Sequence, residues 1–253
     1  MNAIGASPTT AERSVRRGGL LAGTALLVMA VLAPFGALVA VEGLVTVGDA
    51  AATTADVMAS HGLFVAGVVT LVAVIALDVV VSFALYRVLA PVHRAASALA
   101  AALRLAYSGV YLLAVLELVE VLRVLDTIDG GVATAAQQTQ VAAGMTGFSD
   151  VWDAGLVLFG LHLLVLGVLA VRAPYVPSWL GVLLMVAGVG YAVDAVGTVL
   201  PIGLPVTVST FTFVGELLLA LWLVIRGRRI TLGGARPSGP VAARHAEPSG
   251  VAR

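Results

Sequence analysis

The chain has 253 residues, 60% of them hydrophobic and 11% charged, with a mean hydropathy of +1.06. That is more apolar than a water-soluble domain and excludes a soluble fold. A formal net charge of zero excludes the basic surface that nucleic-acid binding requires, and the lack of cysteine and lysine removes disulfide, thiolate and Schiff-base chemistry.

Six apolar runs follow in chain order, at about 19–41, 61–86, 103–122, 151–171, 179–200 and 206–225. A helix rises about 1.5 Å per residue and a hydrocarbon core is about 30 Å thick, so each run of about 20 residues can cross a bilayer. The expected fold is all-α, a polytopic membrane protein whose six-helix transmembrane bundle occupies residues 18–229. Residues 1–17 form a cytoplasmic tail, and 230–253, polar and proline-containing, a disordered cytoplasmic tail. The first run is read as a span and not a cleaved secretory signal, since the small-residue pattern Ala50-Ala51-Ala52 comes well after it ends. Pro34 should kink this span by freeing the carbonyl of Ala30. Residues 127–149 form the one sizeable external loop, with a turn at Asp129-Gly130-Gly131 and room for a short surface helix. Pro201 and Pro205 shape a short external hairpin.

Arginine placement orients the bundle. Arg13, Arg16 and Arg17 precede the first run; Arg87, Arg94 and Arg104 fall between the second and third; Arg172 falls between the fourth and fifth; Arg226, Arg228 and Arg229 follow the sixth. The alternate connections hold Glu42, Asp49, Asp56, Asp126, Asp129 and Asp150, with Arg123 as the lone arginine. The positive-inside rule then places both termini in the cytoplasm of a multi-pass protein of the cell membrane.

Polar side chains within the spans are costly in hydrocarbon and are where function would reside. The set is Asp78, Glu117, Glu120, Asp153, His162, Asp194 and Glu216. Helical rise puts His162 and Glu216 near mid-membrane, Glu117 and Asp194 in the outer third, and Asp78 in the inner third. Glu120 and Arg123, three apart on the third span, form a local ion pair. In one account His162 bonds Glu216, Tyr107, Tyr111 and Tyr191 satisfy carboxyls, and the layer of His162, Glu216, Glu117, Asp194 and Asp78 is structural. In a second it serves a proton- or cation-coupled small-solute pathway, and in a third it belongs to a membrane-embedded metal-dependent hydrolase. No HExxH, GxSxG or glycine-rich phosphate motif appears, and no catalytic residue, metal or cofactor is assigned. The expected partner is the lipid bilayer. Small residues at Gly19 and Gly23, Ala98 and Ala102, and Gly181, Gly188 and Gly190 permit close helix contacts, within the chain or in a homo-oligomer.

The segments ALDVVVSFALYRVLAPVHRAASALAAALRLAYSGVYL, FGLHLLVLGVLAVRAPYVPSWLGVLLMVAGVGYAVDAVG and GELLLALWLVIRG resemble a bacterial membrane family, domain of unknown function 4386, over roughly residues 15–229. On that pattern Asp78, Tyr86, Arg87, Pro91, Arg104, His162, Pro177, Gly181, Tyr191, Asp194, Glu216 and Trp222 occupy matching positions. Val168 and Ala173 depart from it, where an aromatic residue and a serine are usual. The resemblance implies a six-helix membrane protein and supplies no substrate or reaction.

Overall fold

The computed structural model describes residues 9–199 and 214–232. Its helices are α1 (Thr10–Pro34), α2 (Ala50–Ala59), α3 (His61–Leu89), α4 (Arg94–Asp126), α5 (Ala135–Arg172), α6 (Ser178–Val199) and α7 (Val214–Arg226). Every regular element among the described residues is helical, and five stretches are long and apolar enough to cross a membrane. They are Thr10–Leu44, His61–Leu89, Arg94–Asp126, Ala135–Arg172 and Ser178–Ala195. The expected hairpin at Pro201 and Pro205, the start of the sixth run and the tail beyond residue 232 lie outside the described residues.

Local capping chemistry moves several helix ends beyond the apolar runs. Thr9 and Glu12 form a capping box, in which the Thr9 hydroxyl accepts from the Glu12 amide and the Glu12 carboxylate from the Thr9 amide. Helix α1 therefore begins at Thr10, inside the stretch expected as a tail. At its other end Pro34 has no N–H to donate, and the chain passes into a π-helical turn over Phe35–Val39. Helix α4 starts at Arg94, where the His93 imidazole Nδ1 accepts the Ala96 amide at 3.1 Å. It thus takes in the alanine-rich residues 95–102, which hydropathy alone leaves outside the third run. A second capping box, Thr134 with Gln137, starts α5 at Ala135. Residues 135–149, expected in the external segment 127–149, are thus helical and continuous with the fourth apolar run. Gly130 and Gly131, at φ of 64° and 72°, supply the turn before it.

Without a hydrophobic force between helices in lipid, close packing decides which helices pair. Helices α5 and α6 run antiparallel and interlock through two reciprocal glycine pairs. A methyl group on Gly160 would stand 2.6 Å from the Gly188 carbonyl oxygen, and one on Gly188 would stand 2.7 Å from that of Gly160. Gly167 and Gly181 repeat this, each placing a methyl 2.6 Å from the other's carbonyl oxygen. Gly23 similarly lets α1 approach the Ala220 carbonyl of α7. Most of the small-residue motifs are thus occupied within the chain, whereas Ala98 and Ala102 are exposed on α4.

The turn between α5 and α6 is tied to α3 by Tyr175, whose hydroxyl donates to the Val88 carbonyl at 2.6 Å. Burial pushes this hydroxyl up to about 12, so it remains a donor at neutral pH. Tyr175→Phe should cost about 1 kcal/mol by removing one hydrogen bond and orphaning a carbonyl, measured as a lower unfolding midpoint in detergent.

Candidate functional site

Four helices converge on one buried guanidinium. Arg104 of α4 is 1% exposed. Its Nε donates to Asp78 Oδ1 on α3 at 2.7 Å, with Nη2 2.6 Å from the same oxygen in the ion pair, and its Nη1 donates to Glu216 Oε1 on α7 at 2.7 Å. The same Nη1 lies 3.4 Å from His162 Nε2 on α5. Phe159, one turn before His162, places its ring centroid 5.3 Å from the guanidinium carbon, within cation–π range.

Partners fix the histidine tautomer. His162 Nδ1 lies 2.8 Å from the carbonyl oxygen of Ala100, which only accepts, so Nδ1 carries the hydrogen. Arg104 can only donate, so Nε2 is the acceptor and the ring is neutral. With both nitrogens engaged and a guanidinium beside Nε2, His162 is poorly disposed to ligate a cation. Among the described residues no group of three His, Asp or Glu side chains is placed to hold a metal ion.

The helix bounds explain why these groups meet. Asp78, Arg104, His162 and Glu216 each lie about ten residues from the helix end that carries Arg87, Arg94, Arg172 or Arg226, a depth of roughly 15 Å. A small cavity of about 10 Å³, room for one water, lies between this centre and that end, lined by Ser82, Ser97, Tyr86 and His162. On the far side of the centre an aromatic column continues. Phe159 packs against Tyr107 and Tyr191 at 4.9 and 5.1 Å between centroids, and Tyr107 accepts a 2.8 Å hydrogen bond from Trp152 Nε1.

Several expectations need correction. Arg104 is not a border arginine but the hub of the core. His162 and Glu216 do not pair directly, because Arg104 Nη1 stands between them. Asp78 is not at a shallower level, since α3 runs on to Leu89 and brings it level with the others. Glu117 and Asp194 stand apart from the centre. Glu117 is half-buried over Gly147 of α5, and Asp194 lies within electrostatic reach of Asp153. Tyr107 serves the indole of Trp152 instead of a carboxyl. Glu120 and Arg123 pair at 3.0 Å on an exposed face. Exchanging either for alanine should shift stability by no more than about 0.5 kcal/mol, and a larger shift in the unfolding midpoint would contradict that exposed placement.

A bundle of apolar helices of membrane-crossing length, closed around a buried ionic centre, defines a multi-pass integral membrane protein. The chain belongs to the family described as Domain of unknown function (DUF4386), whose pattern matches residues 21–227. An uncharacterized protein of Archaeoglobus fulgidus is 32% identical over 158 residues, covering 62% of this chain and 82% of that protein. No solved structure matches the chain.

Proposed function

We propose that the chain is a six-span protein of the cell membrane, with both termini in the cytoplasm, and that its Arg104 centre is a structural hub fixing the register of four spans. Helix α7 supplies the described part of the sixth crossing. The two ends of the bundle support an even number of crossings. Arg16 Nε donates to the Ile230 carbonyl at 2.8 Å, and the Leu232 amide donates to Glu12, so the start of α1 lies beside the segment that follows α7. Arginines collect at that end and acids such as Asp49, Asp126 and Asp129 at the other, which favours the cytoplasmic orientation. A helix-mediated homo-oligomer would use the exposed Ala98 and Ala102 on α4.

The observation that carries the structural reading is the Arg104 contact set, in which one side chain bonds acids from two other helices and meets a histidine from a third. Among the described residues every buried side-chain nitrogen and oxygen finds a partner, as a satisfied structural network requires. Arg104→Lys tests this. Lysine keeps the charge but cannot offer a planar fork to Asp78 and Glu216 together, so the unfolding midpoint in detergent should fall clearly. An unchanged midpoint would show that charge alone, without the fork, holds the centre. Reporters fused to the two tails should both read cytoplasmic, and opposite sides would refute the topology.

A further inference from the structure

Helices α1 and α3 meet in a close seam at the arginine-rich end of the bundle. A methyl group on Gly18 would stand 3.0 Å from the Ala84 carbonyl oxygen and 3.3 Å from Arg87 Cβ, so the start of α1 lies against the end of α3. Arg17, next in the chain to Gly18, and Arg87 therefore flank one seam. Both are exposed, and neither forms an ion pair among the described residues. The acids nearest to them in sequence are already engaged. Glu12 accepts from the Thr9 and Leu232 amides, and Asp78 is held by Arg104 in the core.

The surface beneath these two cations is apolar. Side chains four apart share a helix face, which sets Leu21 in line with Arg17 and Phe83 in line with Arg87. Helix α1 leaves this end and α3 arrives at it, so Leu21 and Phe83 both lie on the membrane side of their arginines, and both are exposed. Val28 on α1 and Val79 on α3, also exposed, carry the apolar surface deeper. We propose that the α1–α3 seam binds one anionic phospholipid, with its phosphodiester between the guanidinia of Arg17 and Arg87 and its acyl chains along Leu21, Phe83, Val28 and Val79.

The chemistry selects this ligand. A planar guanidinium offers paired N–H donors that match phosphate oxygens, and two of them at a membrane border attract a net negative headgroup. A choline lipid carries its own cation beside the phosphate, which offsets that attraction. A free phosphate would satisfy the arginines but leave the apolar track below them unused. The inference rests on the reading that this end lies at a membrane border, and it adds a site that the Arg104 centre neither requires nor contains.

The test is native mass spectrometry of the full chain in detergent, titrated with phosphatidylglycerol or with phosphatidylcholine of the same acyl chains. The first phosphatidylglycerol should bind at least about tenfold more tightly than the first phosphatidylcholine, the scale expected for two basic residues at a headgroup. Arg17→Gln and Arg87→Gln should each reduce that preference, and the two together should bring it to within about twofold of none. Both side chains are exposed, and the single variants carry the comparison where the double variant does not fold. Arg94→Gln, on α4 and away from the seam, should leave the preference unchanged, and soluble glycerol phosphate should not displace the lipid. Equal binding of the two lipids, or a preference that survives the paired change, would overturn the proposal. So would an equal loss in Arg94→Gln, which would mean a diffuse field of charge, or displacement by glycerol phosphate, which would mean a site for free phosphate. Each of these results would leave the Arg104 hub and the six-span topology standing.

Discussion

Arg104→Met is expected to destabilise the folded chain by about 3–5 kcal/mol, the cost of leaving buried ionic groups without their partner. Methionine fills a similar volume, so the loss comes from the carboxylates of Asp78 and Glu216, which would face each other across an apolar core with no cation between them. The same argument predicts recovery. In the triple variant Arg104→Met, Asp78→Asn, Glu216→Gln no charge remains, and most of the lost stability should return, since replacing a whole buried ionic group by neutral side chains is often close to neutral. Unfolding midpoints in detergent compare the two. A triple variant as unstable as Arg104→Met would mean that the shape of the guanidinium matters more than its charge.

The second large effect is expected where α5 meets α6. At Gly188 and Gly167 an added methyl group would strike backbone atoms of the opposite helix at 2.7 and 2.6 Å, and a backbone cannot swing aside as a flexible side chain can. Gly188→Ala and Gly167→Ala should each cost about 1–3 kcal/mol, the range for overfilling a packed contact, even though alanine is the better helix former. Gly62 and Gly109 provide the control, because a methyl at either meets no atom within 4 Å. Gly62→Ala and Gly109→Ala should be neutral or stabilising by up to about 1 kcal/mol. Unfolding measurements on the four variants would contradict the close approach if all behaved alike.

The sequence revealed membrane-crossing helices more clearly than the site they build. Apolar runs of about 20 residues have few alternatives in a bilayer, so five of the expected spans correspond to helices of crossing length. Helix ends were harder to see because polar caps set them: the Thr9–Glu12 and Thr134–Gln137 boxes extend α1 and α5 well past their apolar runs. Both follow the Ser/Thr-x-x-Glu/Gln pattern and were open to recognition.

Arg104 was misplaced for a related reason. Alanine adds little hydropathy, so the stretch AASALAAAL reads as a border and the third span is begun at Leu103, with Arg104 at its mouth. Counted as helix from Arg94, that stretch carries Arg104 about 15 Å inward, to the level of His162 and Glu216. The acids and the histidine were legible as unusual; their partner was not, because an arginine near a span end has an ordinary explanation at the headgroups. Glu117 and Asp194 share the polarity of the central group but sit elsewhere along the bundle, and residue type alone could not separate them.

A double-mutant cycle between α4 and α7 bears most directly on the Arg104 hub. Arg104→Met, Glu216→Gln and the two together would be compared with the parent chain by unfolding in detergent. The hub predicts that the double variant is more stable than the sum of the two losses implies, by at least about 1 kcal/mol, since removing the guanidinium costs less once Glu216 has lost its charge. Losses that simply add would contradict contact between residues 104 and 216, and with it the ionic centre.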